Sequence, residues 1–381
     1  MPNMGRSAPA ASPDVGAPQG KAAAQQSQTR STTTPLVEID AVDILFYARK
    51  GLLGRVSIPA VNGLSLDIHR GETVAVVGES GSGKTTLGRA SLRLVKPAAG
   101  RIRFDGTDIT QSSEGKLKSF RRRAQAVFQD PYSSINSYMN VYQIVEEPLV
   151  VHGIGTKAER REKVRQVLED VRLSPPEMYL SKYPHTLSGG QRQRVGIARA
   201  LILEPEYIVA DEPVSMIDAS SRAEILYLMR SLQQRFGIAF LYITHDIASA
   251  VHFSDRLAVM YLGRIVEIGP PAEVVAHPLH PYTKALIAAV PEPDPANRHR
   301  QRNVVPGEPP SPSDLPRGCA FHPRCPRFIT NVCDGTTPVL KKISPGHHVA
   351  CYLYEETVAG VAFTAGPAIE SAAGSAETPS P

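Results

Sequence analysis

The sequence predicts an α/β fold, and three observations carry that reading. Short, wholly apolar runs at 207–210 and 239–243 each lie between helix-compatible segments. A glycine-rich loop joins the apolar run at 73–77 to a helix-compatible run at 86–94, and a highly charged segment at 157–171 has apolar residues at helical spacing. Short strands that are apolar throughout are those whose two faces are both covered, as in a parallel sheet with crossover helices.

Taken in order, residues 1–34 are rich in Ala, Ser, Gln, Thr and Pro with hardly an aliphatic anchor. They are expected to form a disordered tail, because they bury too little surface to offset chain entropy. Strands are expected at 61–68, 73–77 and 101–104, the last closed by the turn Asp105-Gly106, which makes a mixed β start. Val164, Val167, Leu168 and Val171 share one face of the helix expected at 157–171, within a helical subdomain of about 140–200. Proline is dense over 291–316, as in an extended linker, and 359–381 again reads as a disordered tail. The expected domains are therefore 35–290 for the main α/β unit and 291–358 for a linker plus a small cysteine-containing extension.

Bulk properties set limits on partners. The chain has 381 residues, 42% hydrophobic and 21% charged, enough for one large domain and a smaller extension. The net charge of +5 is spread over the chain apart from short runs such as Arg121-Arg122-Arg123, so no nucleic-acid partner is implied. No apolar stretch reaches the ~18 residues that span a bilayer, and the N-terminus lacks the apolar core of a secretory signal. A cytosolic chain is expected. All four cysteines, Cys319, Cys325, Cys333 and Cys351, lie in the extension as C-x5-C-x7-C-x17-C. In a reducing compartment that clustering points to metal ligation or to buried free thiols rather than to disulfides.

Residues Gly78, Glu79, Ser80, Gly81, Ser82, Gly83, Lys84 and Thr85 fit G-x-x-x-x-G-K-[ST]. The glycines let successive amides turn inward on a polyphosphate, and the helix that begins there adds a field favourable to anions. Lys84 is placed for the β- and γ-phosphates and Thr85 for Mg²⁺, with Thr86 next in the loop's helix. The run Ile208-Val209-Ala210 ends in Asp211 and Glu212, which puts one carboxylate near a metal and the next where it can polarise a water. Upstream, Leu187-Ser188-Gly189-Gly190-Gln191 opens a helix-compatible segment, a second anion site by the same physics.

With this series the sequence resembles the ABC ATPase family over about 36–291. The resemblance implies a P-loop ABC ATPase cassette, a mixed sheet with a RecA-like core plus a helical subdomain, that binds ATP and Mg²⁺ and hydrolyses ATP. It implies that Ser188, Gly189, Gly190 and Gln191 contact the ATP held by a second cassette docked head to tail. Gln129 matches the glutamine that touches Mg²⁺, and Asp218 in Ser215-Met216-Ile217-Asp218, at the D-loop position, matches the family aspartate and is expected among the nucleotide-binding residues. His245 matches the histidine that contacts the γ-phosphate. Phe46 is the choice for the aromatic that stacks on adenine, with Tyr47 second.

The segment from Arg49 to Arg55, the element His280-Pro281-Tyr282-Thr283, and GEPPSPSDLPRGCAFHPRCP further resemble ATPase subunits of oligopeptide and dipeptide importers. That resemblance implies peptide uptake, with nickel or glutathione as alternative solutes and a soluble non-transport ATPase as a rival reading. It implies a paralogous ATPase subunit or a second copy as partner, two transmembrane permease subunits and an extracytoplasmic solute-binding protein. The chain would sit at the cytoplasmic face of the inner membrane. Some members carry a [4Fe–4S] cluster on such a cysteine quartet, with zinc or bare thiols as alternatives. By its distance in sequence from the ATP site, the quartet is expected to be structural, with ATP binding persisting when it is lost.

Overall fold

The computed structural model describes residues 34–50, 54–130, 135–290, 307–311 and 313–355. Residues 1–33 and 359–381 of the expected tails, residues 291–306 and 312 of the proline-dense stretch, and Gly51-Leu52-Leu53 lie outside the described residues. The chain begins with β1 (Val37–Lys50), β2 (Gly54–Ile68), β3 (Thr73–Val77), α1 (Lys84–Ser91), β4 (Ala99–Phe104), β5 (Thr107–Asp108), α2 (Glu114–Arg123) and β6 (Ala124–Val127). Four helices follow: α3 (Val141–His152), α4 (Lys157–Asp170), α5 (Glu177–Leu180) and α6 (Gly189–Leu201). Next come β7 (Tyr207–Asp211), α7 (Ala219–Phe236), β8 (Ala239–Ile243), α8 (Ile247–Phe253), β9 (Arg256–Tyr261) and β10 (Arg264–Gly269). The C-terminal part adds α9 (Pro271–Ala276), α10 (Pro281–Ala288), β11 (Lys341–Ser344) and β12 (His347–Val349).

A four-stranded antiparallel sheet of order β2-β1-β4-β5 packs beside an eight-stranded sheet of order β11-β12-β10-β9-β3-β8-β7-β6. In the larger sheet β9, β3, β8, β7 and β6 run parallel, with β3 between β8 and β9. The central strands are apolar throughout because both faces are covered. Ala75, Val77, Ile208, Ala210, Phe240 and Tyr242 face a core shared with α3, α4 and α6. Their neighbours Val74, Val76, Tyr207, Val209, Leu241 and Ile243 face Leu87 of α1 and the antiparallel sheet. Each large apolar side chain so buried contributes roughly 1.5–3 kcal/mol relative to exposure.

The strands expected at 73–77 and 239–243 form at those residues, and the helix expected at 157–171 ends at Asp170 with Val171 as its cap. Its start is set by a capping box in which Thr156 Oγ1 accepts from the Glu159 amide and Glu159 accepts from the Thr156 amide. The Asp105-Gly106 turn has both residues at positive φ, 52° and 74°, the geometry that matches the twist of a tight hairpin. The expectation at 61–68 captured only the second half of β2, and β1, β9 and β10 were not foreseen. Nor is the extension a mere appendage. Its β12 pairs with β10 through Glu267↔Val349 and Ile268↔His348, so the extension continues the main sheet.

Candidate functional site

The glycine-rich loop leaves β3 at its C-terminal end and enters α1, in the crevice where parallel sheets present their loops to ligands. Two glycines there are required by close approach. A Cβ on Gly83, which has φ 100°, would stand 2.1 Å from the Ala60 carbonyl, and one on Gly78 would stand 2.2 Å from that of Met260. Lys84 folds back under the loop, its ammonium donating to the Gly78 and Glu79 carbonyls at 2.8 Å each. Burial pushes its pKa down, against the pull of the nearby Glu212, Asp211 and Glu79 carboxylates.

The loop opens onto a cleft of about 580 Å³ lined by Phe46, Ser80, Gly81, Gly83, Lys84, Thr85, Thr86, Gln129, Glu212 and His245. Phe46 lies directly across from Ile58 in the β1–β2 pair, which brings Ile58, Pro59 and Ala60 into the same apolar wall. Sequence reasoning missed that wall. Tyr47, one residue on, is absent from the lining, because successive side chains of a strand point to opposite faces. Phe46 is 44% exposed, leaving its ring open to a planar ligand.

From the lining, Thr85 Oγ1 donates to Asp211 Oδ1 behind it at 3.1 Å. Burial raises the Asp211 pKa, the Thr85 hydrogen bond opposing it. A carboxylate that burial disfavours, meeting a hydroxyl beside a phosphate-type loop, fits a hard oxygen-seeking cation such as Mg²⁺. At the cleft rim, Glu212 has both carboxylate oxygens engaged: Gln129 Nε2 donates to Oε2 at 3.0 Å, and His245 Nδ1 stands 3.1 Å from Oε1. The Glu212 backbone is held at φ 46°, with its amide donating to the Ile243 carbonyl, so the side chain leaves the strand at a defined angle. Two residues, 83 positions before it and 33 after, thus converge on one carboxylate.

Ser188 caps α6 by accepting from the Gln191 amide, and Gln191 returns the bond to the Ser188 amide. Gly189 and Gly190 form the first turn of that helix, and none of residues 188–191 lines the chain's own cleft. Asp218 is also elsewhere. It caps α7 by accepting from the Ser221 amide at 2.9 Å, and bonds from Ser220 and Ser221 hold its pKa down at about 2.

The four cysteines are free, and they approach one another in the extension, where Cys319 donates its amide to the Cys333 carbonyl at 2.8 Å. Burial raises the pKa values of all four, helped by neighbouring thiols at Cys319, Cys325 and Cys351 and by Asp334 at Cys333, to about 11 for Cys319 and about 12 for Cys351. Soft sulfur donors suit iron or zinc. Among the described residues, however, no group of three or more His, Cys, Asp or Glu side chains is arranged to hold a metal ion. The iron–sulfur expectation thus finds no ready-made cage among the described residues.

Comparison with known proteins agrees with this geometry. Residues 61–215 match the ABC transporter family and 266–333 match the oligopeptide/dipeptide transporter C-terminal region. A candidate peptide import ATP-binding protein of Brucella ovis is 48% identical over 84% of this chain and 98% of its own length. The oligopeptide transport ATP-binding protein AppF of Bacillus subtilis is 45% identical over 86% and 99%. Among solved structures, a dimeric ATP-binding cassette in a post-hydrolysis state with ADP and phosphate matches with TM-score 0.55 and 29% identity, covering 62% of this chain and 98% of that one. The cbiO1 protein of Clostridium perfringens, part of the cbiONQ ABC transporter complex, matches at TM-score 0.56 and 31% identity, over 64% and 91%.

Proposed function

The chain belongs to the family of ABC transporter ATP-binding subunits, and from that premise we propose that it hydrolyses ATP to drive import of dipeptides or oligopeptides across the cell membrane. The observation that carries the peptide reading is the oligopeptide/dipeptide-type C-terminal region at 266–333. Relatives named for peptide import and oligopeptide transport, alike over most of the chain, support it.

In the proposed site Phe46 stacks on adenine, while the loop amides and Lys84 take the phosphates. Lys84 is already held by two carbonyls, so binding exchanges neutral acceptors for anionic ones. Thr85, Asp211 and Gln129 would hold Mg²⁺, which when bound neutralises charge on the transferring phosphate. Glu212 accepts the proton of the attacking water, with Gln129 and His245 orienting its carboxylate. His245, 65% exposed, is free to turn toward the γ-phosphate.

Two such subunits dock head to tail, and Ser188, Gly189, Gly190, Gln191 and Asp218 complete the partner's site. Their place outside the chain's own cleft supports this. Ser188→Arg puts a bulky cation where the partner's γ-phosphate is expected and removes a helix cap worth about 0.5–2 kcal/mol. In a trapped pair with one mutated subunit, hydrolysis should stop at the partner's loop. Failure confined to the mutated chain's own loop rejects the docking.

No helix among the described residues is long and apolar enough to cross a membrane. We place the chain at the cytoplasmic face of the membrane, bound to two permease subunits, with a paralogous ATPase subunit or a second copy beside it and a solute-binding protein outside. The deciding measurement is ATP turnover of the chain co-purified with its permeases, with binding protein carrying a peptide, nickel or glutathione. Stimulation by nickel or glutathione but not by peptide overturns the peptide assignment.

For the cysteine quartet the reading is a thiolate site that closes on its metal, since a cation would reverse the preference of the buried thiols for their neutral form. Anaerobically purified protein is expected to carry about four irons and four sulfides per chain. Stoichiometric zinc without iron would change the metal and keep the ligands. A colourless, metal-free protein with every thiol titratable removes the site.

A further inference from the structure

Glu79, the second residue of the phosphate loop, is gripped by the C-terminal part of the chain. Its amide donates to Tyr282 Oη at 2.8 Å, and its carboxylate receives Arg324 Nη1 at 3.1 Å. Arg324 Nη1 also lies 3.4 Å from Tyr261 Oη. The third polar group, the Glu79 carbonyl, accepts from Lys84. The same carbonyl also accepts from the Ser82 amide at 3.2 Å, so every polar group of this loop residue has a partner, and two of its four partners come from beyond position 280. Tyr282 belongs to α10, and Arg324 ends the 3-10 turn His322–Arg324 between Cys319 and Cys325.

The setting is built to hold. The Arg324 side chain is only 8% exposed, and Tyr282 is 1% exposed. Phe321 packs against Tyr261 and Tyr282 at ring distances of 5.4 and 5.5 Å, and the Arg324 guanidinium stands 6.0 Å from its centroid. A nearly buried cation is tolerated only against a paired anion. Here the anion is a carboxylate in a loop whose task is to receive a polyanion, and its charge is felt at Lys84.

We infer that Arg324 and Tyr282 are positioning residues of the ATP site: Arg324 offsets the Glu79 charge so that the loop accepts polyphosphate, and Tyr282 fixes the Gly78–Glu79 peptide, whose carbonyl is one of the two that hold Lys84. The inference rests on the reading of residues 78–85 as the phosphate loop. It runs against the expectation that the cysteine quartet is structural and that ATP binding persists when it is lost. The thiol cluster and the phosphate loop are joined by one side chain.

The test is equilibrium binding of a fluorescent ATP analogue without Mg²⁺ to the full chain, comparing wild type with Arg324→Gln, Arg324→Lys, Glu79→Gln and the Glu79→Gln/Arg324→Gln double variant. An uncompensated carboxylate near the phosphates is expected to weaken ATP binding about tenfold in Arg324→Gln. The loss should grow from AMP to ADP to ATP, which a purely structural role does not require. Arg324→Lys should recover most of it. Adding Glu79→Gln to Arg324→Gln should bring affinity back to within about threefold of wild type, a coupling that independent sites do not show.

Wild-type affinity in Arg324→Gln, or a double variant no better than the single, overturns the inference. If Arg324→Gln does not fold, the Arg324→Lys and double variants decide by the same AMP-to-ATP comparison. Lys84→Ala separates the two levels. If it loses ATP while Arg324→Gln does not, only the inference fails; if it binds ATP as wild type does, the reading of the loop fails with it.

Discussion

Glu212→Gln is expected to leave ATP binding nearly intact and to lower turnover by about 10²–10⁴-fold, the range for loss of a positioned general base. The replacement is close to isosteric. Its amide oxygen can still accept from Gln129 Nε2, and its NH₂ can face His245 Nδ1 in the tautomer that leaves that nitrogen free, so the arrangement around φ 46° survives. What is lost is a carboxylate able to take a proton, a loss in kcat with KM barely moved. Steady-state hydrolysis by the assembled transporter, alongside nucleotide affinity, checks it. Turnover within about threefold of wild type would remove Glu212 as the base.

Glu267→Ala should be the most destabilising single change outside the ATP site, costing about 3–5 kcal/mol. Glu267 is 0% exposed and its carboxylate accepts from the Leu279 amide at 2.9 Å and the His280 amide at 2.8 Å, with His347 Nε2 also 2.8 Å away. Truncation leaves the buried His280 amide, the half-buried Leu279 amide and the buried His347 imidazole without their acceptor, and a buried unpaired group costs about 1–3 kcal/mol. It also frees the start of α10, where His280 Nδ1 accepts from the Tyr282 amide. Burial keeps His280 neutral, its pKa pushed down to about 3, so it cannot replace the lost bonds by taking up charge. Thermal unfolding should fall by on the order of 10 °C. A shift under about 2 °C would mean that β12 and α10 hold without this hub.

These two residues were unequally visible beforehand. Glu212 stands at the end of an apolar run and follows Asp211, a local pattern with direct chemical meaning. Glu267 sits in RIVEIG, where nothing local separates a buried hub from a solvated carboxylate. Phe46 was chosen over Tyr47 without a geometric reason, and the alternation of β1 supplies one. Asp218 was assigned to nucleotide binding by resemblance, while within the single chain it is the cap of α7.

The sequence by itself determined the strand–loop–helix around Lys84, the paired carboxylates at the end of β7, the helices beginning at Lys157 and Gly189, and the order of the motifs. Apolar periodicity, caps and glycines act over a few residues, so a linear reading captures them. Only the tertiary structure decided that Gln129 and His245 meet at Glu212, that β12 completes the main sheet beside β10, and that Arg324 reaches the phosphate loop at Glu79. Such contacts join residues up to 245 positions apart. Their partners are selected by the packing of the whole core, and no local period records which distant side chain a buried charge will find.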